Sequence, residues 1–382
     1  MGIKGSSTRA VYFDNVRVPA ANVLGEVGKG HKIAFTILNI GRLKLGASCA
    51  GGSREALALC ARYVTERKAF GKTLHHFGLI QKKLAQMAID TYAAASVTYR
   101  TAGLIEEALR ATGSRSAAGG RAPTTTVHAL EEYAMECSIG KVLGSEALGR
   151  VVDEGVQTFG GYGFMHEYPV EKAYRDARIT RIFEGTNEIN RLLLSGTLYR
   201  RAMEGRVAVM DAFPTIDEAV RAGQAPSVDA PAELRDAAEA VERARGAALF
   251  TMMKAAMRYM TRLEEEQEFL ANTADMMINL FAMDSALSRA TAALRIGRLD
   301  AARHALTARL AVWRFLPGVY HAITEVLENG IEDAAERDDE LRRVRAYLGD
   351  YHLASTLALR ELAAAVVSHG GYPFAAVRGS AR

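Results

Sequence analysis

Residues 174–191 contain a carboxylate whose surroundings suit acid–base chemistry. Glu184 follows the apolar residues Ile182 and Phe183 and stands directly before Gly185. Apolar neighbours make ionisation of a carboxyl group more costly, which suits a general base. Gly185 allows a close backbone approach or a positive φ. The pattern predicts a base at the end of a short apolar segment, but an exposed glutamate in an ordinary interhelical turn has the same local pattern.

The residues after this carboxylate predict the start of a helix. Thr186 and Asn187 are good N-caps for a helix that Ile189 and Leu192 continue. The free N–H groups at such a start can bind an anion or the oxygens of a ligand. We therefore expect a ligand-binding helix terminus beside Glu184.

The composition is that of an ordinary globular protein. The chain has 382 residues, of which 49% are hydrophobic and 24% are charged, with a net charge of +4. This length suffices for two domains. Acids and bases are interleaved, which gives no support for nucleic-acid binding. We find no signal peptide and no apolar run of about 18 residues, so no membrane-spanning helix is predicted.

The three cysteines, Cys49, Cys60 and Cys137, lie on apolar helical faces. They form no Cys-x-x-Cys pair and have no histidine partners at metal-ligand spacing. We interpret them as buried structural thiols in a reducing compartment, and no metal site is predicted.

The periodicity predicts a mainly α-helical protein with a short β remnant. Residues 1–26 have β character, with a strand at 10–13. Residues 27–202 carry four helices with apolar stripes, typical of an antiparallel bundle. Residues 203–231 are rich in proline, glycine and polar residues and are interpreted as a linker. Residues 232–382 carry a second helical bundle.

Finer features of these segments are also predicted. The composition of residues 113–120 predicts a flexible loop. The helices of the second bundle are expected at about 232–263, 266–296, 300–328 and 337–368. Pro317 should kink or divide the third of them.

Residues 174–191 resemble the catalytic segment of the acyl-CoA dehydrogenases. Residues 2–26 resemble the end of that family's central β-domain, and residues 67–72 and 157–164 resemble its two flavin-contacting motifs. Residues 38–42 and the tail beyond residue 200 are most similar to the very-long-chain branch. The resemblance implies a chain that lacks the N-terminal helical domain and most of the β-domain.

The resemblance also implies roles for particular residues. Glu184 corresponds to the base that takes the α-proton, and Gly185 lies against the reacting carbons. Asn39 and Arg42 match a pair that contacts CoA, although their spacing alone is most typical of a solvated helix face. The residues implied in FAD binding are Arg67, Phe70, Gln157, Phe159, Gly160, Gly161, Thr186, Asn187 and Glu188. By itself, Arg67 would be read as a surface arginine.

The function implied is FAD-dependent α,β-dehydrogenation of long-chain acyl-CoA thioesters in fatty-acid β-oxidation. Arg67 and residues 157–161 would contact the FAD of a neighbouring subunit, so a homodimer is expected. Electron transfer flavoprotein would accept the electrons. A bacterial cytoplasmic location is expected, with peripheral membrane contact by the tail left open. The alternative is a truncated, non-catalytic helical interaction protein with the same fold.

Overall fold

In the computed structural model, which describes residues 1–111 and 129–374, the chain is mainly helical. This confirms the fold class predicted from periodicity. The helices are α1 (Gly30–Glu66), α2 (Gly78–Ala111), α3 (Ala134–Phe159), α4 (Pro169–Ala177), α5 (Asn187–Met203), α6 (Val209–Ala222), α7 (Arg235–Tyr259), α8 (Gln267–Arg295), α9 (Ala301–Gly330), α10 (Ala334–Leu348) and α11 (Ser355–His369). A short antiparallel hairpin of β1 (Lys68–Ala69) and β2 (Lys72–Thr73) follows α1.

Helices α1 and α3 approach each other closely because glycines face each other across their interface. A Cβ atom built on Gly46 of α1 would lie 2.8 Å from the carbonyl oxygen of Gly140 in α3. A Cβ on Gly144 would lie 3.2 Å from the Gly46 Cα. Larger side chains would therefore force the helices apart. This contact fixes α3 against the part of α1 that lines the candidate site.

Helix α2 joins the two bundles. The buried carboxylate of Asp90 accepts hydrogen bonds from Arg150 Nε in α3 at 3.0 Å and from Arg314 Nε in α9 at 2.7 Å. The Tyr92 hydroxyl lies 2.8 Å from His304 Nδ1 of α9. One hydrophobic core runs through both bundles. The boundaries proposed for the domains, and whether each bundle folds alone, remain predictions.

The strand expected at residues 10–13 does not form. Residues 1–29 contain no strand, and their one helical element is a short 3-10 turn at Ala20–Asn22. Val11, Tyr12 and Phe13 are between 73% and 88% exposed. A strand requires a partner for its backbone groups and a surface on which to bury a face, and the described residues supply neither here.

Two predictions about the second half need correction, and a third is tested only in part. The segment interpreted as a linker contains helix α6, which packs on α7. The helix expected at 337–368 is two helices, because the backbone turns at Gly349, where φ is 61°. Helix α9 continues through Pro317, so the expected division does not occur, and the expected kink remains a prediction. The flexible loop expected at 113–120 lies outside the described residues.

Candidate active site

Glu184 lies in a strained turn between α4 and α5. Its φ is 59°, and that of Gly185 is 81°. Glycine tolerates this region, but a glutamate reaches it only at a cost in energy, and such residues cluster at functional sites. The turn ends at Asn187, where α5 begins. The backbone therefore presents Glu184 in a conformation that the surrounding structure must maintain.

The Glu184 carboxylate rests against the backbone of helix α1 at Gly41. A Cβ atom built on Gly41 would lie 2.2 Å from Glu184 Oε2 and 2.6 Å from its Cδ. No side chain other than hydrogen fits there while the carboxylate keeps this position. Gly41 is thus part of the site, although the sequence analysis did not single it out.

Asn39 and Arg42 flank Gly41 and point into the protein. Arg42 is only 4% exposed, and its Nε donates to the Glu184 carbonyl oxygen at 3.3 Å. Its Nη1 donates to Asn39 Oδ1 at 3.0 Å. A solvated helix face is therefore the wrong interpretation of this pair. The structure brings both residues to the Glu184 turn, and contact with CoA remains a prediction.

A buried lysine, Lys141, holds the turn from the side of α3. Its Nζ donates to the Gly185 carbonyl oxygen at 2.7 Å and to Asn187 Oδ1 at 2.6 Å. Burial lowers the pKa of the Lys141 ammonium to about 8. The sequence analysis missed this residue. Its signal was a lysine on the same helical face as Cys137 and Leu148, spaced at four and seven residues.

Asn190 holds the same turn from α5. Its Nδ2 lies 2.8 Å from the Gly185 carbonyl oxygen and 3.0 Å from that of Thr186. The Thr186 hydroxyl accepts from the Ile189 N–H at 3.3 Å, which confirms the predicted N-cap. Two backbone carbonyls and the helix terminus are therefore all fixed by side chains.

A cavity of about 340 Å³ opens at this helix terminus. Besides Glu146 and Ile182, its lining comprises three residues implied in cofactor binding and three arginines, namely Thr186, Asn187, Glu188, Arg150, Arg178 and Arg181. Guanidinium groups and free helix N–H groups both suit phosphate. The residues present therefore fit a phosphate-bearing cofactor or substrate.

The remaining cofactor residues form a second group at the other end of α3. The Arg67 guanidinium lies 5.1 Å from the Tyr162 ring centroid, over the glycine-rich turn. Phe70 has a φ of 49° and is 96% exposed. A Cβ on Gly160 or on Gly161 would meet open space. Arg67, Phe70 and the turn thus offer a charged and aromatic surface.

Two of the implied residues near this turn differ in accessibility. Phe159 is buried and stacks on Tyr63 at 3.9 Å between ring centroids, so its side chain faces the core. Gln157, two residues earlier on α3, is exposed. Eleven residues separate Gln157 from Glu146 at the first cavity, which is about 16 Å along a helix. The structure therefore forms two clusters of implied cofactor residues.

The three cysteines are free and buried, as expected. Burial raises the pKa of the Cys49 thiol to about 11 and that of the Cys60 and Cys137 thiols to about 12. Across residues 1–111 and 129–374 we find no cluster of three or more His, Cys, Asp or Glu side chains that could hold a metal ion. In the same residues, no helix has both the length and the apolar character that crossing a membrane requires.

Comparison with known proteins identifies the family to which the chain belongs. Two models of the acyl-CoA dehydrogenase C-terminal domain match residues 28–199 and 243–344. The chain belongs to the acyl-CoA dehydrogenase family. Residues 28–199 include Gly41, Lys141 and Glu184, so the whole turn and its supports lie within the matched region.

Three relatives show how far the similarity extends. A probable acyl-CoA dehydrogenase of Bacillus subtilis is 44% identical over 294 residues, which cover 77% of this chain and 49% of that protein. The human mitochondrial very long-chain specific acyl-CoA dehydrogenase is 43% identical over 195 residues, covering 51% and 27%. A crystal structure of a Bacillus anthracis acyl-CoA dehydrogenase complexed with FAD is 38% identical, with a TM-score of 0.88, covering 93% and 60%. The chain thus spans about half the length of the Bacillus subtilis relative.

Proposed function

We propose that this chain supplies the catalytic base and part of the cofactor site of an FAD-dependent acyl-CoA dehydrogenase that acts on long-chain thioesters. The observation that carries the proposal is Glu184 itself. A carboxylate on a strained turn, packed against the bare backbone of Gly41, lies beside a helix terminus that suits a phosphate-bearing ligand. The identity with the human very long-chain enzyme supports the choice of substrate class.

The roles of the residues follow from the reaction. Glu184 takes the α-proton of the acyl thioester, which leaves negative charge developing on the thioester oxygen. Its own backbone N–H is a donor for that oxygen, and the left-handed turn sets the direction of this N–H relative to the carboxylate. FAD, when bound, would supply the acceptor for the β-hydrogen as hydride, so that reduction of the flavin would balance oxidation of the acyl chain.

Two surfaces of this chain would contact FAD. Thr186, Asn187 and Glu188 line the cavity at the start of α5, where Arg178 and Arg181 favour phosphate. Arg67, Phe70 and residues 157–161 lie at the far end of α3. An almost fully exposed Phe70 is expected to be covered by a cofactor or a second subunit. A homodimer in which one subunit completes its neighbour's FAD site accounts for both surfaces, and electron transfer flavoprotein is the proposed electron acceptor.

Replacement of Glu184 by glutamine tests the assignment of the base. In an assembly that contains this chain and FAD, we expect turnover to fall by about 10²–10⁴-fold with normal flavin content. Glu361→Gln, which changes an exposed carboxylate on α11, is the matched control and should leave turnover unchanged. Near-full activity of Glu184→Gln would exclude Glu184 as the base.

Reconstitution with FAD separates the proposal from its alternative. Flavin absorbance that remains with the protein after gel filtration supports a cofactor site. A colourless chain that cannot be reconstituted, alone or together with the region of the Bacillus subtilis relative that it does not match, favours a non-catalytic helical interaction protein.

A further inference from the structure

Lys141 occupies a fully buried position, which is unusual for a lysine side chain. It lies in the middle of α3, is fully buried, and shares its face with the apolar Leu148. Burial of an ammonium group is unfavourable unless hydrogen bonds replace its water. The two oxygens that Nζ contacts belong to Gly185 and Asn187, both in the turn that carries Glu184.

The contacts of the turn place it between two helices. The Gly185 carbonyl oxygen accepts from Lys141 of α3 and from Asn190 of α5, so it is held from two directions. The Asn187 side chain extends the contact along α3, because its Nδ2 donates to Ser145 Oγ and Glu146 Oε1, each at 3.1 Å. The hydrogen bonds between α3 and the Glu184–Asn187 segment therefore extend from Lys141 to Ser145 and Glu146.

We propose that Lys141 is a positioning residue that holds the Glu184–Asn187 turn in its left-handed backbone conformation. Glu184 and Gly185 both have positive φ, and the bond from Lys141 fixes the peptide group that directly follows Gly185. Without it, the Gly185 carbonyl oxygen would keep its bond from Asn190 and lose its link to α3. The catalytic meaning of this contact rests on the proposed function, but the contact itself can be tested without it.

Hydrogen exchange in a Lys141→Met variant measures the effect on the turn. The N–H groups of Phe183 and Asn190 are bonded to the carbonyls of Ile179 and Thr186, and so report opening on either side of Glu184. Loss of a charged donor should accelerate their exchange about tenfold or more. Lys83→Met is the matched control, because Lys83 also ties α3 to a neighbouring helix, through Glu154 and away from the turn.

The outcomes decide the proposal. Exchange in Lys141→Met within about twofold of the wild type, with the fold intact, would overturn it, as would equal acceleration in Lys83→Met. If Lys141→Met does not fold, Lys141→Gln keeps a donor without the charge and is measured in the same way. Failure of both variants to fold would show that Lys141 supports the whole core rather than the turn, which also overturns the proposal.

Kinetics provide a second readout in an assembly with measurable dehydrogenase activity. We expect Lys141→Met to lower kcat by about tenfold or more with KM within about twofold and flavin content unchanged, because a displaced base slows the proton transfer. Unchanged kcat would overturn the positioning role. A wild-type assembly without activity would count against the proposed function and leave the exchange result valid.

Discussion

Gly41→Ala should separate activity from stability. The added Cβ would lie 2.2 Å from Glu184 Oε2, whereas non-bonded carbon contacts are favourable at about 3.5–4.0 Å. The carboxylate is the flexible end of a side chain, while Gly41 belongs to the middle of a 37-residue helix. The carboxylate will therefore move, by about 1 Å or more, and α1 will stay in place.

The two effects of this substitution have opposite signs. Misplacement of a catalytic group by about 1 Å can cost roughly 10²-fold in rate. Alanine in place of glycine inside a helix contributes about 1 kcal/mol to stability. We therefore expect turnover to fall about 100-fold while the free energy of unfolding stays level or rises by up to about 1 kcal/mol.

Steady-state dehydrogenation in the FAD-containing assembly and urea denaturation of the chain provide the two measurements. Gly51→Ala is the matched control, because Gly51 lies in the same helix and an added Cβ there meets open space. It should gain similar stability and keep full activity. Wild-type turnover in Gly41→Ala would refute the reasoning, and so would a large loss of stability, since the helix rather than the carboxylate would then have moved.

Two further predictions concern the contacts between the bundles. Burial lowers the pKa of His304 from 6.5 to about 4. The contribution of His304 to stability is therefore present above pH 6.5 and is lost as the pH falls through about 4. In urea denaturation, His304→Gln should remove up to about 3 kcal/mol of that pH dependence. Burial raises the pKa of the Asp90 carboxyl, but Arg150 and Arg314 lower it more. Asp90→Asn should lower the free energy of unfolding by about 3 kcal/mol, which is the low end for a broken buried ion pair because both arginines reach solvent. Asp338→Asn, at the surface, should lower it by less than about 0.5 kcal/mol.

Periodicity predicted the long helices of this chain well because their apolar stripes extend over many turns. Helices α7, α8 and α9 begin and end within about four residues of the expected positions. Short elements were less predictable. Helix α4 was not anticipated, and helix α6 lies in a segment whose proline and glycine content favours a loop. In both, tertiary packing outweighs local propensity.

At residues 10–13 the sequence predicted a strand that does not form. Val11, Tyr12 and Phe13 have high strand propensity, but a strand forms only where neighbouring strands accept its hydrogen bonds. Residues 68–69 and 72–73, which carry a weaker pattern, form a hairpin because a turn at Phe70 and Gly71 brings them together, both with positive φ. The backbone geometry of this turn therefore determines the pairing of β1 with β2, which the composition of these residues does not predict.

The candidate site likewise combines residues that are neighbours in sequence with residues that are far apart in sequence. The motif around Glu184 predicted a carboxylate, a glycine and a capped helix, because these are neighbours in sequence. The residues that fix the carboxylate lie far from it in sequence: Gly41 gives it room, and Lys141 holds the carbonyl of the following residue. A glycine between Ile40 and Arg42 and a lysine on an apolar face have several ordinary explanations until a fold brings them to one turn. The motif therefore identifies the reacting group, and its geometry is set by α1 and α3.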